Sequence, residues 1–341
     1  MRVELSGVRP WRHDLAGCLH ACLGTLVEHA GLRPLEVLGA NWQFYYRPGD
    51  LRSEEYYFPC PDGQSLLSTL APYHPVDSRW CWPQDAEQGW RQVREQVAAG
   101  VPIAVAVDNF ELPFRPAYRD VHSNHLVVVT GFDDERQTVT LLDAIPPFFS
   151  GVVPLPVLTA ARDSGNRTAH ARDMFFAGEP IGNRWLQLLV ADRPSGAMSA
   201  GDLLAGDFLA GNLAGWQRDD EPGCYRGRDG VARFLADQGD RLANGESIAD
   251  ELFVVAGTAL AGTAVHADWV ADSGRRLQLP GWPELSRQIN RVGYHWTAIR
   301  ILAALSRTGE VGPGRLRSRR AALLAELDRT LAGIETVLAG L

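Results

Sequence analysis

The sequence lacks the motifs and the charge balance of several common protein classes. It has no Cys-x-x-Cys pair, and its five cysteines are odd in number and scattered, which argues against a disulfide framework and against a zinc site. It has no G-x-x-x-x-G-K-[ST] motif and no strand-borne G-x-G-x-x-G motif, so nucleotide binding has no support. The net charge of −8 argues against nucleic acid as the main partner, because phosphate binding needs a basic face.

Long apolar runs are also missing. No run reaches the roughly 18 residues expected of a membrane span, and the N-terminal residues do not show the charged-then-apolar pattern of a signal peptide. We therefore expect a cytoplasmic protein that does not bind membranes. The chain has 341 residues, of which 45% are hydrophobic, a composition and length that suit two globular domains.

The spacing of apolar residues changes near residue 195. Before it, apolar and β-branched runs predict buried strands at Val101–Val107, His125–Phe132, Thr138–Asp143 and Arg184–Ala191. Asp85, with Gln88 three residues on, predicts a capped helix that ends at Gly100. Residues Pro72–Pro83 and Ala144–Gly182 are rich in proline or glycine and predict irregular connectors. Beyond residue 195 the periodicity is helical almost throughout. We predict an α+β domain with an antiparallel sheet over 1–195 and an all-helical domain over 196–341.

The segment from His13 to Gly31 predicts a loop that runs into a buried helix. Apolar residues recur with the spacing of one buried helical stripe, and Gly31 is a stop signal. Cys18 falls in the first turn, where free N–H groups and the helix dipole favour an anion. A thiol at that place is biased towards the reactive thiolate. Cys22 lies inside the apolar stripe, which favours structural packing for that residue.

A base and an orienting acid follow on two predicted strands. His125 begins one strand and Asp143 ends the next, and residues 133–136 form the turn between them. In a hairpin these two positions are neighbours, so we predict an imidazole–carboxylate pair at one end of the sheet. A Cys18 thiol packed across that end completes a Cys-His-Asp triad. Each residue alone has a structural alternative: a small core residue for Cys18, a strand-end histidine for His125, and a turn aspartate for Asp143.

Asp108 closes a predicted strand and either lines the site or caps a turn. His20 and His122 are expected to face solvent.

The residues around this triad resemble those of known families. CLHACLGTLVEHAG at Cys18–Gly31 resembles the nucleophile helix of papain-like peptidase domains that cleave bacteriocin leader peptides. A closer resemblance is to the butirosin biosynthesis protein H family. It rests on the Cys18 helix and on four further segments: LEVLGANWQFYY (Leu35–Tyr46), VAVDNFELPFRPAY (Val105–Tyr118), HSNHLVVVTGFDD (His122–Asp134) and LLDAIPP (Leu141–Pro147). These segments span nearly the whole first domain in order.

The resemblance implies a papain-like first domain and an acyltransferase of natural-product biosynthesis. The donor is then an acyl or aminoacyl thioester of an acyl or peptidyl carrier protein, and the acceptor is a small-molecule amine. No cofactor or metal is implied beyond the phosphopantetheine arm of the donor. A carrier protein is acidic, so a basic docking surface is expected, and the densest basic cluster is Arg315, Arg317, Arg319 and Arg320. A homodimer is left open.

The acyl or acceptor pocket has aromatic candidates. Trp42, Tyr45, Tyr46 and Phe110, together with Asp108, are the residues that we assign to substrate binding, with core packing as the alternative for the aromatic ones.

One position departs from the papain-like pattern. Such enzymes usually carry a Gln six positions before the Cys, where it helps to build the oxyanion hole, and here that position is Arg12, followed by His13. The resemblance therefore leaves the Cys18 backbone N–H, helped by Arg12 or His13, as the candidate oxyanion donors.

Three classes of function compete at this point. The first is acyl transfer or a related thioester-cleaving or cyclising step. The second is a peptidase or amidase, and the third is a non-catalytic binding protein on a papain-like scaffold.

Overall fold

The computed structural model describes residues 1–49, 65–169, 172–173, 181–190, 205–218 and 223–341. Contacts divide the chain into two compact units. The first unit is Met1–Pro34 with Val76–Val190, and the second is Leu35–Pro75 with Ala191–Leu341. The predicted division placed all of residues 1–195 in one domain, whereas the contacts of Leu35–Pro75 are with the helical part of the chain.

A seven-stranded antiparallel sheet forms the centre of the first unit. Its strands are β1 (Arg2–Glu4), β3 (Val76–Cys81), β4 (Ile103–Asp108), β5 (Asn124–Asp133), β6 (Thr138–Asp143), β7 (Phe149–Pro154) and β8 (Trp185–Val190). The order is β3-β8-β4-β5-β6-β7, with β1 paired to β5. Every residue of β4 is buried, as expected for an apolar strand covered on both faces.

Three helices pack on this sheet, namely α1 (Cys18–His29), α4 (Ala86–Ala98) and α5 (Leu155–Arg162). Side chains of α4 and α5 share a buried cluster with alternate residues of β4 and β5, such as Val105 and Val127. Helix α1 also contacts β4 and β5. The N-terminus of α4 is capped as predicted, because Asp85 accepts a hydrogen bond from the Gln88 N–H at 2.7 Å. The Gln88 side chain, however, bonds the Gln84 N–H rather than that of Asp85.

The second unit is mainly helical. Its helices are α2 (Pro34–Gly39), α3 (Leu66–Leu70), α6 (Ala205–Trp216), α7 (Gly227–Ala243), α8 (Ala249–Arg276), α9 (Trp282–Ser306) and α10 (Pro313–Leu338). A two-stranded sheet pairs β2 (Tyr45–Tyr46) with β9 (Tyr225–Arg226). This pairing ties the 35–75 segment to the helices. Among the described residues, α8 alone is long and apolar enough to cross a membrane, but 67% of its apolar window is buried in the unit, as in the core helix of a soluble protein.

The predicted class, an α+β fold with an antiparallel sheet followed by helices, is confirmed. Two connectors were predicted wrongly. Part of Pro72–Pro83 is strand β3, and part of Ala144–Gly182 is β7 with α5. The beginning of the predicted helical part, residues 196–204, lies outside the described residues, as does one of the five cysteines, Cys60.

Candidate active site

Cys18 is the first residue of α1 and is partly exposed. The residue before it, Gly17, has no side chain to cap the helix, and the first turn carries no acidic residue. The N–H groups at this end therefore keep their positive potential for an incoming anion. This is the electrostatic setting that the sequence predicted for Cys18.

The segment that leads into Cys18 is fixed against the same helix. The Trp11 backbone N–H donates a hydrogen bond to the Thr25 hydroxyl at 3.1 Å. A Cβ atom on Gly24 would lie 2.3 Å from the Trp11 ring, so the absence of a side chain at Gly24 lets the indole rest on the helix. The approach to Cys18 is thereby anchored nearly two turns further along α1.

His125 and Asp143 lie at the same end of the sheet, as the hairpin predicted. His125 is near the start of β5 and Asp143 ends β6. The His125 Nε2 atom is 2.7 Å from the Asp143 Oδ2 atom, and both side chains are buried. The charge and hydrogen-bonding capacity of the Cys18 thiol also act on the pKa of His125, which puts the thiol near that ring. Because Nε2 is engaged by Asp143, Nδ1 is the ring nitrogen left for the Cys18 thiol.

Electrostatics favour the charged form of both members of the His125–Asp143 pair. Burial alone lowers the pKa of His125, but the charge and hydrogen bond of Asp143, followed by those of Cys18, raise it to about 9. Burial works against ionisation of Asp143, yet His125, the Ile145 N–H and Arg115 together hold the pKa of Asp143 below its ordinary value. The imidazolium therefore persists at neutral pH beside the Cys18 sulfur.

Two further side chains in the first half of α1, Cys22 and His20, are buried. Cys22 is 3% exposed, and burial, followed by the charges of Cys18 and Asp143, raises the pKa of its thiol well above the ordinary value. That supports the structural role predicted for Cys22. The expectation that His20 faces solvent was wrong, since it is 3% exposed and burial, followed by the charge of His13, lowers its pKa to about 4.

Arg115 is a member of this cluster that the sequence did not indicate. Its side chain is 10% exposed, and its guanidinium donates hydrogen bonds to Asp143 Oδ2 at 3.1 Å and to the Ile145 carbonyl at 3.0 Å. The same carboxylate oxygen thus accepts from both His125 and Arg115. No periodic pattern marks Arg115, and its contact spans 28 residues of chain, so a sequence signal was absent.

A second histidine–aspartate pair stands at this end of the sheet. Asp108 is 1% exposed and its Oδ2 atom lies 2.7 Å from His122 Nδ1. The carboxylate also accepts hydrogen bonds from the Ser164 hydroxyl and from the N–H groups of Phe110 and Ser123. The Phe110 ring stacks on His122 at 3.9 Å. The expectation that His122 faces solvent was wrong, because only 15% of its side chain is exposed. These four partners hold the Asp108 carboxylate, and the assignment of Asp108 and Phe110 to substrate binding remains a prediction.

The proposed oxyanion residues make other contacts. The Arg12 guanidinium lies 3.7 Å from the centre of the Phe148 ring. The His13 ring stacks with Trp11, and its Nδ1 atom accepts the Leu15 N–H at 3.3 Å. The Cys18 N–H, at the start of the helix, stays the first candidate for the oxyanion donor. The roles of Arg12 and His13 remain predictions.

The other aromatic candidates belong to the second unit. Trp42 and Tyr46 are buried in its core, where the Trp42 indole donates to the Thr263 hydroxyl and the Tyr46 hydroxyl donates to Asp237. Tyr45 lines a small pocket of about 40 Å³, together with Trp42 and residues of α8. Their assignment to substrate binding remains a prediction.

Comparison with known families supports the resemblance. Residues 17–144 match the family model described as butirosin biosynthesis protein H, N-terminal. The matched range contains Cys18, His125 and Asp143, and the resemblance predicted from the sequence is confirmed over it. No curated protein matches the chain significantly.

Proposed function

Residues 17–144 carry the N-terminal domain of the butirosin biosynthesis protein H family, and from this premise we propose that the protein is a cysteine-dependent acyltransferase of antibiotic biosynthesis. The observation that carries the proposal is the contact of His125 with both Asp143 and Cys18 at the N-terminus of α1. In this proposal the first unit is a papain-like domain, because a cysteine that begins a helix faces a strand-borne histidine held by an aspartate.

The first half-reaction transfers the acyl group to the enzyme. The Cys18 thiolate attacks the carbonyl carbon of a carrier-protein thioester, and the N–H groups at the start of α1 stabilise the oxyanion. The bond to the Cys18 sulfur forms first, and the bond between the acyl carbon and the pantetheine sulfur breaks when the oxyanion collapses. The imidazolium of His125 gives its proton to the departing pantetheine thiolate. The products are acyl-Cys18, neutral His125 and a carrier-bound thiol.

The second half-reaction transfers the acyl group to an amine. The amine attacks acyl-Cys18 and loses one proton to His125, so the products are an amide and the regenerated thiolate–imidazolium pair. Asp143 keeps the ring oriented and stabilises its positive charge in both halves. Water competes with the amine for acyl-Cys18, so the balance of aminolysis and hydrolysis depends on exclusion of water from the site.

Intact-mass spectrometry tests this proposal directly. The protein is mixed with acyl and aminoacyl groups loaded on a phosphopantetheinylated carrier protein, in the absence of amine. We expect a mass increase equal to the acyl group, located at Cys18 by peptide mapping, absent in Cys18→Ala, and discharged when amines are added. Cleavage of peptides without any covalent adduct from a carrier-bound donor indicates a peptidase instead. Full activity of Cys18→Ala contradicts both functions.

A further inference from the structure

An open groove in the second unit combines apolar and basic walls. It lies between α9 and α10 and is lined by Ala298, Ile301, Leu302, Arg315, Ser318 and Arg319. We name it the arginine groove. Ile301 is 56% exposed, and Tyr294 is 72% exposed. Tyr294 lies seven residues before Ile301, which places both on the same face of α9. The groove thus continues into an exposed apolar stripe.

The arginines beside this groove carry unneutralised charge. Within the described parts of the chain, no ion pair or side-chain hydrogen bond involves any of four arginines in the first half of α10: Arg315, Arg317, Arg319 and Arg320. Other exposed arginines of the unit pair with acids, such as Arg228 with Asp328, Arg233 with Asp237 and Arg287 with Glu284. The cluster is therefore a local positive field on a chain whose net charge is −8.

Helix stability does not explain these arginines. Arg315 is in the first turn of α10, which holds no acidic residue, and a positive charge there opposes the positive end of the helix dipole. Arg315 and Arg319 are four residues apart, so they repel each other along one helix face. A residue pattern that lowers the stability of its own helix, next to exposed apolar side chains, is expected where a negatively charged partner binds.

We propose that the arginine groove docks an acidic amphipathic helix of a partner protein, and that this partner is the donor carrier protein, an identification that rests on the proposed function. Acidic side chains of the partner pair with Arg315 and Arg319, while its apolar residues cover Ile301 and Tyr294. Exposed tyrosine and arginine are the side chains most enriched in the energetic centres of protein interfaces. Attraction of this kind steers encounter and weakens as salt is added.

A protein partner fits better than nucleic acid or an anionic membrane. Two arginines line the groove and the chain as a whole is acidic, so a long polyanion is repelled outside this patch. The exposed Ile301 side chain cannot form a hydrogen bond with a phosphate group, whereas an apolar residue of a partner protein can cover it. A small acidic protein surface satisfies both the charge and the apolar stripe.

The test compares two donors that carry the same acyl group, one on a holo carrier protein and one on free pantetheine. The variant is Arg315→Glu with Arg319→Gln. Its control is Arg287→Glu with Arg233→Gln, which changes the net charge equally at exposed sites away from the groove. We expect the groove variant to lower kcat/KM for the carrier-bound donor about tenfold, to leave the pantetheine donor unchanged, and to show no fall in Tm. The control leaves both donors unchanged.

The outcomes separate the docking surface from the proposed function. An unchanged kcat/KM for the carrier-bound donor in the groove variant, or an equal fall for both donors, overturns the arginine groove as the docking site. If the wild-type protein accepts neither donor, the proposed function fails. Docking is then decided by fluorescence anisotropy of a labelled holo carrier protein at several salt concentrations. Loss of that binding in the groove variant and in Ile301→Ser upholds the groove. Absence of binding, or tighter binding of phosphatidylserine vesicles or duplex DNA, overturns it.

Discussion

The His125 Nε2 atom lies 2.7 Å from the Asp143 Oδ2 atom, with both side chains buried at one end of a seven-stranded sheet. Because Asp143 occupies Nε2, Nδ1 is the ring nitrogen left to serve Cys18. Asp143 therefore fixes the orientation of the His125 ring and favours its charged form.

Replacing Asp143 with Asn removes the charge that favours the imidazolium and allows the wrong tautomer of His125. We expect the rate of Cys18 acylation to fall by about 10² to 10⁴, as for related triads. Single-turnover acylation followed by mass spectrometry measures it. Asp108→Asn is the comparison, because Asp108 is an equally buried carboxylate that pairs with His122 instead. A loss in Asp108→Asn as large as in Asp143→Asn would falsify the special role of Asp143.

Cys18 and Cys22 differ in reactivity although they lie one turn apart on α1. Cys22 is buried and its pKa is raised, whereas Cys18 is partly exposed at the helix start. We expect iodoacetamide at neutral pH to label Cys18 and to leave Cys22 unlabelled in the native protein, as measured by peptide mapping.

The corresponding variants separate the two roles. Cys18→Ala is expected to abolish acylation. Cys22→Ala is expected to retain it and to lose about 1 kcal/mol of folding free energy. Rapid native-state labelling of Cys22, or loss of acylation in Cys22→Ala with unchanged stability, contradicts the assignment.

Because folding raises the pKa of His125, the free energy of unfolding is expected to fall at alkaline pH. This pKa is raised from 6.5 to about 9 in the folded state, so the folded protein binds more protons than the unfolded chain between these values. The stabilising contribution is fully present below pH 6.5 and is lost as the pH rises through about 9. At about 1.4 kcal/mol per pH unit, it is on the order of 3 kcal/mol.

Urea unfolding between pH 6 and pH 10 measures this dependence. We expect the free energy of unfolding to fall more steeply with pH in the wild-type protein than in His125→Gln, which lacks the titrating group. Equal slopes in the two proteins show that the pKa of His125 is not raised by folding.

The contact of His125 with Asp143 and the place of Cys18 at the start of α1 were predictable, because each residue lies at or near the boundary of a strongly patterned element. A helical stripe located the start of α1, and a short hairpin brought the ends of β5 and β6 together. Both are local rules that need no knowledge of distant contacts.

The features that the sequence did not predict depend on pairing between distant segments or on single side chains that follow no periodic pattern. Strand β2 pairs with β9 about 180 residues later, and this pairing joins Leu35–Pro75 to the helical unit. Strand β3 alternates buried and exposed residues only over its first four positions, between prolines that suggested a connector. Arg115 reaches Asp143 from an irregular segment, and His20 is buried although its residue type suggested exposure.

Arg115 positions Asp143 by donating to the same carboxylate oxygen that contacts His125. Arg115→Met removes a positive charge close to the imidazolium, and the pKa of His125 then rises, because a like charge no longer disfavours its protonated form. If the thiolate–imidazolium pair is the active form, loss of the imidazolium limits the rate at high pH. The alkaline limb of the kcat/KM profile reports that pKa in the free enzyme.

We therefore expect Arg115→Met to move the alkaline limb of the kcat/KM profile to higher pH. The maximum rate is expected to fall, because Asp143 loses one of its hydrogen-bond donors. Arg115→Lys keeps the charge and should hold the limb near its wild-type position. Arg119→Met is the matched control, because Arg119 pairs with exposed Glu111 rather than with Asp143. A limb that stays in place in Arg115→Met, or that moves equally in Arg119→Met, shows that the guanidinium acts on the rate without setting the charge of His125.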